Sequence, residues 1–192
     1  MLFYLAPMEG ITGYIVRNAY AHYFPYIDKY FTPFIPAAKK MSKKIKRDLA
    51  AENNDQIRLV PQLIGNRADE FLMMIRHLEE LGFTSVNLNF GCPSGTVVSK
   101  RKGAGFLADP KELEMLLEEV LENSPLAVSV KTRVGIKDPD EWEALCGVYV
   151  KFPLEELIIH PRLQKDYYSG TPRMETFARA LEQIHVPLCY NG

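Results

Sequence analysis

The sequence lacks the features that usually place a chain in a membrane or outside the cell. It has three cysteines, Cys92, Cys146 and Cys189. Their number is odd, their spacing is wide and no CxxC pair occurs, so neither a disulfide framework nor a zinc site is indicated. A reducing compartment fits that usage. No apolar run approaches the length that spans a bilayer. The N-terminal Met1-Leu2-Phe3-Tyr4-Leu5-Ala6-Pro7 has neither the basic start nor the length of a signal peptide. These absences read as a soluble, cytoplasmic protein with no membrane partner. A charge bias is missing too, since 23 Lys and Arg stand against 24 Asp and Glu for a net charge of -1. Any anion or nucleic-acid site must then be local. No GxGxxG follows the first apolar segment, so the usual dinucleotide fingerprint is absent.

What remains is 192 residues, 47% of them apolar, enough for one domain with a sizeable core. Short apolar strands are expected at Leu2–Ala6, Tyr30–Ile35, Arg58–Ile64, Ser85–Asn89, Ala127–Val130, Glu156–Ile159 and Val186–Tyr190. Pro61 within the third implies a bulge or an early strand end. Helices are expected at Tyr14–His22, capped by Thr12 with Ile15 and Ala19 inward, and at Ala68–Leu81, ended by Gly82. Asp109-Pro110-Lys111-Glu112 reads as a capping box that starts another helix. Two more fall within Pro139–Tyr149, with Asp138 as its cap, and at Pro172–Gln183. Apolar strands alternating with helices signify a covered parallel sheet. The pattern is α/β, a (β/α)8 TIM barrel, here incomplete with about seven strands where closure needs eight. A doubly wound sheet is the other arrangement with this alternation. Polar residues at the ends of many different strands favour the barrel, whose C-terminal rim collects them.

Those residues are Pro7, Met8, Gln62, Asn87, Asn89, Cys92, Lys131, Arg133, His160, Arg162, Asn191 and Gly192. The segment 86–105 holds the densest group: a strand carrying both asparagines, then Gly91-Cys92-Pro93 and the basic Lys100-Arg101-Lys102. Singly, each has a structural alternative. Cys92 could be a buried thiol, Gln62 could satisfy backbone at a bulge, and Lys131 could snorkel from the rim. Together, their common place at one end of their strands points to a site. A second basic run, Lys39, Lys40, Lys43, Lys44, Lys46 and Arg47, contains no acid. It reads equally as a solvated segment or as a phosphate-binding patch.

The sequence resembles the flavin-dependent tRNA-dihydrouridine synthases. The resemblance rests on Ala6-Pro7-Met8 with Thr12, Pro61-Gln62-Leu63-Ile64-Gly65, Asn89-Phe90-Gly91-Cys92-Pro93 and Lys102-Gly103-Ala104-Gly105. It continues through Lys131-Thr132-Arg133-Val134-Gly135, His160-Pro161-Arg162, Tyr168-Ser169-Gly170 and Asn191-Gly192. It implies FMN bound by Pro7, Met8, Gln62, Lys131, His160, Asn191 and Gly192, and NADPH as reductant. It implies Cys92 as the catalytic acid and tRNA as substrate, contacted by Asn89, Lys100, Arg133 and Arg162. Hydride would pass from flavin to C6 of uracil and a proton from Cys92 to C5. Residues 1–192 would be the N-terminal part of a flavin-binding barrel domain, without the family's C-terminal helical tRNA-binding domain. Such a piece is expected to hold FMN poorly and to turn over little tRNA, and its open edges invite self-association. The chain departs from the pattern at Asn87, where the family commonly has an acid, and at Pro161-Arg162-Leu163-Gln164, where it usually reads Gly-Arg-Thr-Arg. A flavin barrel acting on a small pyrimidine-like substrate would keep Gln62, Lys131 and Asn191 without needing the basic run. An inactive RNA-binding fragment would keep the basic rim and lose the flavin.

Overall fold

A computed structural model of the chain describes residues 1–38 and 40–192. Lys39, in the basic run, lies outside the described residues. The strands are β1 (Tyr4–Leu5), β2 (Lys29–Phe31), β3 (Ile35–Pro36), β4 (Leu59–Val60), β5 (Gln62–Ile64), β6 (Ser85–Phe90), β7 (Ala127–Arg133), β8 (Leu157–His160) and β9 (Leu188–Tyr190). The helices are α1 (Tyr14–Tyr23), α2 (Lys43–Leu49), α3 (Ala68–Glu80), α4 (Gly95–Val98), α5 (Pro110–Asn123), α6 (Glu141–Tyr149) and α7 (Met174–Gln183).

All pairings are parallel, in the orders β1-β2-β4 and β3-β5-β6-β7-β8-β9. The two runs follow one path because β4 and β5 are separated by Pro61 alone, and β2 and β3 by three residues. The expected strands Tyr30–Ile35 and Arg58–Ile64 are thus each interrupted. Proline has no N–H to give the ladder. The Thr32 hydroxyl repairs the gap by accepting from the Gln62 N–H at 2.9 Å, and Asn87 N–H reaches Pro61 O at 2.9 Å. The result is seven successive strand positions of an open barrel.

Side chains alternate between two faces of this sheet. Outward, Leu63, Leu88, Phe90, Val128, Val130, Leu157 and Ile159 are buried beneath the helices. Phe71, Ile75 and Leu78 of α3 and Leu113, Leu117 and Val120 of α5 fill that layer, as the helical spacing predicts. Inward, Phe31, Val60 and Ile158 pack with Tyr4 and Cys189. Lys29 and Glu156 form a buried ion pair at 3.0 Å, and the Tyr4 hydroxyl donates to the same carboxylate at 2.7 Å.

Several helix ends follow the sequence expectation. Gly82 has φ +86 beyond α3, and the Asp109 carboxylate accepts from the N–H groups of Lys111 and Glu112, both at 3.1 Å. Glu112 instead turns to Arg101. Glu141, rather than Asp138, gathers the N–H groups of Ile136, Lys137 and Asp138 ahead of α6. The largest correction is α1. Thr12 does not cap it; its hydroxyl accepts from Met8 N–H at 2.9 Å, and Asp48 accepts the Tyr14 N–H at 2.7 Å. Ile15 and Ala19 face outward, and Arg17 is the buried residue of the helix. Its guanidinium bonds to Thr12 O, Asp48 and Asn54, fastening the rim loop after β1 to the segment that follows β3.

Candidate active site

The C-terminal ends of the strands open into a cleft of about 640 Å³. Its lining includes Pro7, Met8, Asn89, Cys92, Lys131, Arg133, His160, Arg162, Asn191 and Gly192. Of the twelve residues to which the resemblance assigns a site role, Gln62 and Lys100 are outside this lining, as is the rim residue Asn87. Gln62 is fully buried just beneath it, while Lys100 is exposed on the turn after α4. Lys131 and Arg133 are part of β7 itself rather than of the loop beyond it.

A one-way chain of hydrogen bonds supports the Cys92 loop. Cys92 N–H donates to Asn89 Oδ1 at 2.9 Å, as does Gly91 N–H. Asn89 Nδ2 donates to Gln62 Oε1 at 2.8 Å, and Gln62 Nε2 donates to Asn87 Oδ1 at 2.8 Å. Asn87 Nδ2 donates to the Ser129 hydroxyl at 2.9 Å, and that hydroxyl donates to Val86 O at 3.1 Å. Inward positions on β5, β6 and β7 face one another because the parallel register aligns Gln62 with Asn87 and Asn87 with Ser129. Beyond Cys92, Gly103 has φ +54 and its backbone passes so close that a Cβ would stand 2.8 Å from Cys92 O.

Burial pushes the Cys92 thiol up; Glu9 adds to this, while Ser94 N–H, Arg133 and Lys131 oppose it. The thiol therefore keeps its proton at neutral pH. Burial, with Arg133 nearby, pushes Lys131 down to about 8. His160 is pushed down to about 3 by burial and by the three cations around it, so it is neutral. Arg162 donates to His160 Nε2 at 2.9 Å, which leaves the imidazole proton on Nδ1.

The arginines are largely committed to the rim's architecture. Arg133 bridges two loops, donating to Gly91 O at 2.9 Å and to Leu163 O at 2.8 Å. Arg162 holds Gly170 O through Nε and Nη2 at 3.2 and 2.9 Å. Among the described residues, Lys131, Arg133 and Arg162 form no ion pair. The site is a cationic floor beside a protonated thiol.

Comparison with known proteins gives this arrangement a lineage. The sequence model of the dihydrouridine synthase (Dus) family matches residues 4–192. This chain belongs to the dihydrouridine synthase family. It is 30% identical over 167 residues to "Probable tRNA-dihydrouridine synthase 2" of Bacillus subtilis, covering 85% of this chain and 51% of that protein. It is 29% identical to a "Probable tRNA-dihydrouridine synthase" of Staphylococcus epidermidis, with the same coverage. A "tRNA-dihydrouridine(20/20a) synthase" of Vibrio parahaemolyticus is 32% identical over 149 residues, covering 76% of this chain and 44% of that one. The chain thus spans about half the length of the curated relatives it matches. In fold, it resembles a variant of NCR from Zymomonas mobilis, with a TM-score of 0.65 and 12% identity over 99% of this chain and 74% of that one.

Sequence reasoning missed part of the cleft. Glu9, Phe34 and Tyr168 also line it. Tyr168 lies over the Arg133 guanidinium, 5.5 Å from ring centroid to Cζ. The Tyr168-Ser169-Gly170 motif signalled Tyr168, but nothing in spacing or periodicity marked Phe34. Among the described residues no group of His, Cys, Asp and Glu could hold a metal ion, and no helix is long and apolar enough to cross a membrane.

Proposed function

We propose that residues 1–192 are the N-terminal part of a flavin-binding barrel that reduces uridine to 5,6-dihydrouridine in tRNA, with FMN as cofactor and NADPH as reductant. The observation that carries this reading is geometric: Cys92 lines one cleft with Lys131, Arg133 and Arg162, none of them in an ion pair among the described residues. A cytoplasmic location follows from the substrate.

The donor set suits FMN. The cleft volume falls in the usual range for cofactor sites. Pro7 and Met8 offer an apolar surface for the ring system, and Gln62 lies directly under the amide of Asn89. Lys131 lines the cleft in no ion pair among the described residues and would hold an electronegative ring edge. His160, Asn191 and Gly192 would serve the phosphate-bearing end. Bound FMN would supply the hydride to C6 of uracil and be restored by NADPH.

The chain's own part is orientation and the proton. A uridine in folded RNA must leave its stack to enter the cleft. Asn89 has one Nδ2 hydrogen left for an acceptor on the pyrimidine, since its Oδ1 holds the Cys92 loop and its other hydrogen goes to Gln62 Oε1. The Cys92 thiol gives its proton to C5, so the C5=C6 bond gains one hydride and one proton. The thiolate left behind is stabilised by the charges of Lys131 and Arg133 until solvent reprotonates it. Lys100 and the exposed cations of α2 would meet RNA phosphates.

The test is single-turnover reduction of unmodified tRNA by the chain with excess FMN and NADPH, read by mass spectrometry as two hydrogens gained on uridine. Cys92→Ala is expected to slow it by about 10²–10⁴-fold, the range for a general acid. Reduction of free uracil but not tRNA would favour the small-substrate barrel. RNA binding without flavin binding would leave an inactive RNA-binding fragment. Full activity of Cys92→Ala would remove Cys92 as the acid.

A further inference from the structure

A second depression opens beside the catalytic cleft and shares Glu9, Ile11 and Phe34 with it. It measures about 550 Å³ and lies between the start of α1 and α2. Its walls are mainly apolar, with Ile15 69% exposed and Ile11 54% exposed. Tyr14 and Phe34 are half-buried there, each with part of its side chain open to the groove. Lys44 and Arg47 are exposed along the α2 side, and neither is in an ion pair among the described residues.

Asp48 also borders the groove, but its charge is already matched. One oxygen takes the Arg17 guanidinium at 3.0 Å and the other accepts the Tyr14 N–H at 2.7 Å. The α2 side therefore offers cations without competing free acid, and the opposite side offers apolar and aromatic surface, with the exposed carboxylate of Glu9 at the edge shared with the cleft. That combination binds single-stranded nucleic acid: π-faces receive bases and cations receive the backbone, with little demand on base identity. When one base leaves the stack for the cleft, its chain neighbour loses a stacking partner. The neighbour sits one backbone link away, and the groove begins at the cleft's own mouth.

We propose that this groove is the subsite for the nucleotide adjacent to the reduced uridine, its base against Tyr14 and Phe34 and its phosphate beside Lys44 and Arg47. The proposal rests on the tRNA reading above. It divides the basic run in two. Lys44 and Arg47 are contacts, whereas Lys43 and Lys46 are outside the groove lining.

The experiment compares two double variants of equal charge change. Binding of unmodified tRNA to the 192-residue chain is measured across a salt series for Lys44→Ala with Arg47→Ala and for Lys43→Ala with Lys46→Ala. All four side chains are exposed, so folding is not at stake. The first pair should weaken binding roughly tenfold and lower the salt slope by about one unit, the signature of one lost phosphate contact. The second pair should stay within about twofold of the parent chain. Photocrosslinking from 4-thiouridine placed next to the target uridine should reach Tyr14 or Phe34. Equal effects of the two pairs would reduce the patch to general electrostatics and overturn the proposal. Target crosslinks at the Cys92 loop without neighbour crosslinks at Tyr14 or Phe34 would overturn this inference alone. Absence of any tRNA binding would overturn it together with the functional reading. A concentration-dependent dimer abolished by the first pair would give the groove to a second copy of the chain, which also overturns the proposal.

Discussion

Asn89 gives the sharpest test of how the Cys92 loop is held. Its side chain makes three hydrogen bonds, accepting from Gly91 and Cys92 N–H and donating to Gln62 Oε1. Asn89→Ala strands all three partners. A buried group left without a partner costs about 1–3 kcal/mol. Gly91 and Gln62 are buried, while water can reach half-buried Cys92 in part. Two full penalties and a partial one give about 3–6 kcal/mol, a large share of the ~5–15 kcal/mol that holds a domain together. With a urea slope near 2 kcal/mol per M, the unfolding midpoint should fall by about 2 M.

Asn89→Asp separates the acceptor role from the donor role. A carboxylate still accepts both backbone N–H groups but confronts Gln62 Oε1. Relief comes if the amides of Gln62 and Asn87 both flip, after which Ser129 donates to Asn87 Oδ1 and releases Val86 O. That reversal sacrifices one hydrogen bond, about 1 kcal/mol. The buried charge adds a cost that Lys131, its register partner on β7, partly offsets. The Asp variant should therefore lose less stability than the Ala variant. An Ala variant that loses less than about 1 kcal/mol, or an Asp variant weaker than Ala, would refute the account.

Three further outcomes are expected. Gly103→Ala places a Cβ at φ +54 and 2.8 Å from Cys92 O; it should cost about 2–4 kcal/mol, and an unchanged melting temperature would count against the close approach. His160, held at about 3 when folded and near 6.5 when unfolded, binds its proton first in the unfolded state. Its contribution is then intact above pH 6.5 and lost as pH falls toward 3, about 1 kcal/mol between pH 6.5 and 5.5, and His160→Gln should flatten that part of the stability–pH curve. Lys131, at about 8, should make FMN affinity fall as pH rises through 8; Lys131→Met should bind more weakly and without that inflection, and an unaltered inflection would assign it elsewhere.

How far the sequence could be read depended on whether the deciding interaction was local. Asp109-Pro110 announced α5 because the cap partners are two and three residues away. Pro61 announced the break between β4 and β5 because proline alone removes the donor. Ile15 and Ala19 misled about α1 because the face that turns inward is chosen by Asp48, 31 residues beyond Arg17. Thr12 resembled a helix cap, but Met8 was as near and offered both an N–H and a carbonyl. The rim residues were legible as a group because parallel strands deliver their ends to one side. Their individual commitments were not, since Arg133 and Arg162 spend their donors on carbonyls 42, 30 and 8 residues away.

The same non-local logic explains why Asn87, where the resemblance leads one to expect an acid, need not impair the site. The chain of bonds under the Cys92 loop has fixed ends. Backbone N–H groups at Gly91 and Cys92 can only donate, and Val86 O can only accept. Every side chain between them must accept on the loop side and donate on the other, and amides and a hydroxyl can do both. Asn87 passes the sequence on by accepting from Gln62 and donating to Ser129. A carboxylate at that position accepts on both sides, so Ser129 would have to turn toward it and leave Val86 O. Gln62 and Asn89 would keep the same orientation in either case, and with them the Cys92 N–H. An asparagine rather than a carboxylate at this position therefore alters only the far end of the chain of bonds and keeps a charge out of a fully buried place, while the thiol's support is preserved.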